Sequence, residues 1–282
     1  MTHYSFTPRL RSPLFTIILA LGLSGGFATA AKVAKTGADL LPSSTVIYAE
    51  LGQPADVIRF IMDSPLRKNL EATEIYPYLV GNEKYQGFLT ILSAIETQAD
   101  MKWRPTLETV TAGGVYLGVD SATEGLGLLF KANDAGTLDK AVQTLIRLTR
   151  EDAKGKGNPD PLPSQLYREV EVYKAGEGGF AVVDQWLVFV NKGDLGKAIL
   201  DNLLDGGETT LSANKDFQAA RKSVIEGKSL WAYSDLNTIR AAGVAKALFT
   251  GKTDNPGAEL FLGGIAEALK DTPHATGTLD FT

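Results

Sequence analysis

Cysteine is absent from all 282 residues. That excludes disulfides, thiol nucleophiles, thiolate metal sites and lipid attachment through an N-terminal cysteine. Histidine is almost absent, with only His3 and His274. A Ser-His-Asp triad or a multi-histidine metal site would have to be built around His274 or not at all. Positive charge is in deficit: 28 Lys and Arg stand against 33 Asp and Glu, a net charge of −5. An acidic chain without a basic cluster argues against nucleic acid and against anionic lipid headgroups. Asn-x-Ser/Thr sequons are missing, and beyond residue 30 no apolar run approaches the ~20 residues that span a bilayer.

The first thirty residues have a different character. Arg9 and Arg11 form a positive lead, Leu14 to Leu23 an apolar stretch, and Ala28-Thr29-Ala30 a small-x-small cleavage site. This is the pattern of a secretory signal peptide over residues 1–30. A retained membrane anchor is the rival reading, for which the apolar stretch is short. Removing residues 1–30 takes away two Arg and no acid, leaving −7. The expected address is periplasmic or extracellular. An exported chain without disulfides must rely on its hydrophobic core, which residues 31–282 are numerous enough to build.

The stretch Gly113 to Gly207 organises the rest. It reads as a strand pair (Val115–Val119, Leu126–Lys131), a helix (Leu138–Arg150), an edge strand (Leu166–Tyr173), a second pair (Phe180–Val183, Trp186–Val190) and a second helix (Leu195–Leu204). Leu138, Ala141, Val142, Leu145 and Leu148 share one helical face, as do Leu195, Ala198, Ile199, Leu203 and Leu204. Asp194 is placed to cap the second helix and Gly206-Gly207 to end it.

On either side the same grammar continues. Thr45–Leu51 is a β-branched and aromatic strand, Pro54 opens a helix, and Tyr85–Ala99 carries a clean helical face. Trp103 begins a short helix to about Val110. Ser212 is placed to cap a helix through Ile225, Ser229–Ser234 is a strand, and Asp235 caps the helix after it. A helix over Ala258–Lys270 and a strand over Ala275–Phe281 close the chain.

A strand-to-helix junction recurs from Tyr48, Leu128, Val188 and Trp231, either by duplication or as ordinary α+β grammar. The expected class is α+β: an antiparallel or mixed sheet with amphipathic helices packed on one face and a repeated hairpin–helix unit. Two subdomains, 31–112 and 113–282, are one way to divide it. The strand expected directly before Thr282 suggests a chain continuing beyond.

Candidate chemistry is sparse. Gly251-Lys252-Thr253 and Gly227-Lys228-Ser229 resemble the end of a P-loop, but Lys246 and Lys222 stand where the first glycine is needed. Gly176–Gly179 reads as a turn into Phe180. His274, in a Thr-Pro-His loop, reads as solvated. Three carboxylate pairs remain: Asp120 and Glu124 about the first hairpin turn, Glu169 and Glu171 on one strand face, and Asp201 and Asp205 one helical turn apart. None has the flanking aromatics of a sugar cleft, and solvated acids are the plainer reading. Calcium loops are missing, and no metal or cofactor is expected. Trp186 and Trp231 read as core, Trp103 as a surface or interdomain anchor.

LLPSSTVIYAEL at Leu40, SPLRKNL at Ser64, WRPTLETVTAGGVYLGVD at Trp103, FAVVDQWLVFVN at Phe180 and TTLSANKDFQAAR at Thr209 together resemble an uncharacterised exported bacterial family of planctomycete type. The resemblance spans nearly all of residues 31–282 and implies an exported α+β protein, often of greater length, without assigned activity or catalytic residues. Three functions are compatible with this pattern. The first is a non-enzymatic envelope domain that binds a protein or polymer. The others are a carboxylate-dependent hydrolase of envelope or extracellular material, and a binding protein for a small hydrophobic ligand between sheet and helices.

Overall fold

A computed structural model of the chain describes residues 36–63, 65, 69, 71–74, 76–82, 86, 90, 93, 96–97, 100–222, 229–243, 249 and 269–281. The expected signal segment, the pairs Gly251-Lys252 and Gly227-Lys228, and the helices Tyr85–Ala99 and Ala258–Lys270 lie wholly or largely outside these residues.

Among the described residues the strands are β1 (Thr45–Leu51), β2 (Val115–Asp120), β3 (Gly125–Lys131), β4 (Ser164–Tyr167), β5 (Val170–Ala175), β6 (Gly178–Val183), β7 (Trp186–Val190), β8 (Leu230–Asp235) and β9 (His274–Leu279). They form one nine-stranded sheet in the order β4-β5-β6-β7-β3-β2-β1-β8-β9. Every pairing is antiparallel, which resolves the antiparallel-or-mixed alternative of the α+β reading. β1 lies between β2 and β8, so the sheet runs continuously across residue 112. The helices are α1 (Pro54–Asp63), α2 (Tyr76–Val80), α3 (Trp103–Thr111), α4 (Ala135–Gly155), α5 (Gly193–Asp205), α6 (Lys215–Arg221) and α7 (Leu236–Ala241). None is long and apolar enough to cross a membrane.

The four strand-to-helix junctions become β1–α1, β3–α4, β7–α5 and β8–α7. Their helices do not share one face of the sheet, as the sequence reading expected. Strand alternation separates them. Leu187 and Phe130 pack with α4 through Leu138, Val142 and Ile146. Their immediate neighbours Trp186, Val188 and Leu129 point to the other face and pack with α5 through Leu195 and Ile199. Both faces of β3 and β7 are apolar, so each can receive a helix.

The α5 face also carries α6 and the chain around two 3₁₀ turns, Gly37–Asp39 and Leu211–Ala213. Tyr48, Phe217, Trp231 and Tyr233 form its aromatic centre, with Phe217 edge-on to the other three at ring separations of 5.1–5.5 Å. Both β-strand tryptophans are thus core, each 4% exposed. Asn202 of α5 donates to the Leu40 carbonyl at 2.8 Å, tying the first turn to the helix.

Three local expectations change. The edge strand Leu166–Tyr173 is a hairpin: β4 and β5 meet at Arg168 and Glu169, whose φ values are +49° and +68°. That is the left-handed backbone of the tight hairpin turns, here without the Asn or Gly that normally marks them. Asp194 does not cap α5; Lys192 holds that position, and Asp194 pairs with Lys197. Asn214, not Ser212, caps α6, accepting from the backbone N–H groups of Asp216 and Phe217. Gly206 ends α5 in the left-handed conformation, and Asp235 caps α7, both as expected.

Candidate functional site

α5 lies across β3 and β7 and extends over the β4–β6 end of the sheet. Over β3 the approach is close because the strand has glycine beneath the helix: a Cβ at Gly125 would stand 2.9 Å from Leu195 Cδ2. Towards β5 and β6 the helix presents Gly193 and Gly196 beside Lys197 and Leu200. The sheet opposite offers Ala181 between the valines Val172 and Val188, with Gly179 close against the Tyr173 carbonyl. Two surfaces of small residues cannot fill the space between a helix and a sheet. A groove of about 220 Å³ remains, walled by Val172, Ala181, Val188, Val190 and Leu200.

One end of the groove is held by a clamp. The Arg168 guanidinium donates to Asp205 through Nη1 and Nη2 and to Asp201 through Nη1, each at 2.7 Å. The Tyr167 hydroxyl donates to the Asp201 carboxylate at 3.0 and 3.1 Å. The β4–β5 turn is thereby fastened to the last turns of α5. Arg168 holds the Asp205 carboxyl below the usual aspartate range, and the hydrogen bond to Asp201 pushes the Tyr167 phenol up.

The other end lies at the β5–β6 turn, where Gly176 sits at φ +65° and Gly178 and Gly179 enter β6. Three charged residues line the groove: Lys174, Glu177 and Lys197. Lys197 is paired with Asp194 at 3.0 Å, and Glu177 with Lys192 at 2.6 Å. The pairings raise the pKa of the Lys197 and Lys192 ammonium groups and lower that of the Glu177 carboxyl. Lys174 has no ion-pair partner among the described residues.

Of the carboxylates singled out from sequence, Asp120, Glu171, Asp201 and Asp205 are engaged in the fold. Asp201 and Asp205 are both held by Arg168, so neither stands free as a proton donor. Glu169 and Glu171 do not share a strand face: Glu169 is in the turn, and Glu171 is in β5, where Ser164 and Tyr173 lower its pKa by hydrogen bonds. Asp120 is 1% exposed and organises the β2–β3 turn, accepting from the Thr123 backbone N–H at 2.8 Å, its hydroxyl at 2.7 Å and the Ser44 hydroxyl. Glu124 lies across that turn, exposed. His274 is the first residue of β9 rather than a loop residue; it is half-buried, its ring 6.1 Å from that of Tyr233, with Nδ1 buried and unpartnered. Trp103 is half-buried at the start of α3. Among the described residues no cluster of His, Asp or Glu is placed to hold a metal ion.

Sequence reasoning assigned Gly176–Gly179 to a turn, which Gly176 and Glu177 make while Gly178 and Gly179 open β6, and missed the groove. The available signal was a local shortage of side-chain volume: Gly178, Gly179 and Ala181 in one strand, and Gly193 and Gly196 in the helix.

No protein-family model matches the chain, and no curated protein matches it. Among solved structures it is similar to crystal form IV of TP0453, at 10% identity and a TM-score of 0.38, covering 78% of this chain and 71% of that one. Crystal form III of the same protein gives 12% identity and a TM-score of 0.36, with 75% and 68% covered. Likeness at this level carries no argument about function.

Proposed function

We propose that this protein is an exported, non-enzymatic binding protein that holds a small, largely apolar ligand in the groove between α5 and β4–β7. The observation that carries the reading is the groove itself. It is an apolar recess kept open by small residues on both walls, with a few polar groups at its ends, as ligand sites are built. At about 220 Å³ it lies below the ~300–1,000 Å³ of pockets that enclose drug-sized molecules. It therefore suits a compact ligand or one end of a longer one. The engagement of Asp120, Asp201 and Asp205 in structural hydrogen bonds weighs against the hydrolase reading. Export rests on the Arg9–Ala30 pattern.

The test uses Gly193. A Cβ there would meet nothing nearer than the Glu177 carbonyl at 4.0 Å, so a side chain can grow into the groove without moving backbone. The purified protein should bind the neutral apolar dye N-phenyl-1-naphthylamine saturably. Gly193→Phe should abolish that binding while its melting curve stays close to wild type. Unchanged dye binding in the variant would sink the reading.

A second reading, a protein-docking domain, is favoured by the opposite face of the sheet. There Ile47, Leu126 and Phe189 remain 39%, 40% and 39% exposed.

A further inference from the structure

The charge inventory of the groove narrows its ligand. This inference rests on the binding reading above. Of the groove's charged residues, Glu177 and Lys197 are each neutralised by a partner outside it, at 2.6 and 3.0 Å. Lys174 alone carries uncompensated charge. It stands on β5 two residues beyond Val172, on the same face of the strand, and is paired across to Gly179. The apolar wall of Val172 and Ala181 thus leads directly to a free ammonium at the groove's end.

We propose that the groove takes a small anionic amphiphile, its apolar body against Val172, Ala181, Val188 and Leu200 and its carboxylate or similar anion on Lys174. An apolar ligand without a charge would leave Lys174 solvated but unused, and a cationic one would meet like charge. The chain as a whole is acidic, which opposes an anion at long range. That field is screened beyond ~8 Å at physiological ionic strength, whereas contact with Lys174 is not.

Calorimetric titration of three eight-carbon probes tests the assignment: octanoate, octan-1-ol and octylammonium. Each is added to wild type, Lys174→Gln and Gly193→Phe. The expected order in wild type is octanoate, then octanol, then octylammonium. Lys174→Gln should weaken octanoate about three- to tenfold, the range of a partly exposed charge-assisted contact, and leave octanol unchanged. Gly193→Phe should abolish all three. If octanoate and octanol bind equally, and both are lost in Gly193→Phe, the anion assignment is wrong while the groove reading stands. If octylammonium binds best, the assignment is likewise overturned. If no probe shows binding that depends on Gly193, both fail. Lys174 is exposed on its strand, so its loss should not disturb folding; the melting curve of Lys174→Gln serves as the control.

Discussion

α4 and α5 are built from the same recipe and finish differently. Each follows an antiparallel hairpin through a short polar turn, and each lays an apolar stripe on the sheet. Beneath α4 the sheet presents Phe130, Phe180, Val182, Leu187 and Tyr173, with Tyr173 and Phe180 stacked at 5.0 Å. Bulk meets bulk across that interface. Beneath α5, beyond its contacts with Trp186, Val188 and Leu129, the sheet thins to Gly179 and Ala181 and the helix to Gly193 and Gly196. The helix is still anchored through Leu195 and Ile199, both fully buried, and beside them the groove remains. A strong core and an open groove coexist because side-chain volume is distributed unevenly along one helix.

The largest effects should come from the anchors, and they should be alike on the two faces. Ile199→Ala beneath α5 and Ile146→Ala beneath α4 should each cost about 2–5 kcal/mol in denaturant unfolding, the range for emptying a buried aliphatic site. A cost well below this for Ile199 would show that α5 is loosely held and that the groove is part of a poorly packed face. A smaller effect is expected at the β4–β5 turn. Glu169 occupies left-handed backbone without a local side-chain reason, so Glu169→Gly should stabilise by about 1 kcal/mol. Destabilisation would show that the turn's conformation is favoured by contacts of the Glu169 side chain.

The smallest effect concerns the clamp. Arg168→Ala should speed amide exchange in β4 and β5 while leaving β2 and β3 protected. The same release should follow from acid. Asp205 has a lower pKa folded than unfolded, so its contribution is fully present above the ordinary aspartate value of about 3.9. It is lost as pH falls through the lower folded value. Protection of β4–β5 amides, corrected for the intrinsic pH dependence of exchange, should therefore fall below about pH 4 in wild type and stay flat there in Arg168→Ala.

Much of this frame was legible before any coordinates. Thr45–Leu51 is a strand over the bounds its β-branched residues suggest, Pro54 opens α1, and Gly206 and Asp235 end and begin helices as their chemistry requires. The hairpin at Arg168-Glu169 was hidden because neither residue favours positive φ; the ion pairs to Asp201 and Asp205 that accompany it join residues more than thirty positions apart. The two-sided sheet was hidden because β3 and β7 carry apolar residues on both faces, so alternation gives no preferred side. The groove was hidden for a different reason. Small residues in β6 and α5 acquire meaning only once the register places Gly179 opposite Lys174 and Val190, and Ala181 opposite Val172 and Val188.

The central claim is that the space beside α5 is a ligand site rather than a packing remainder. The most direct measurement is a residue-by-residue amide shift map of ¹⁵N-labelled protein titrated with octan-1-ol. The account predicts saturable shifts concentrated at Val172–Ala181 and Gly193–Leu200, with α4 and its sheet face silent. Shifts spread over both faces, or centred on Ile47, Leu126 and Phe189, would contradict it.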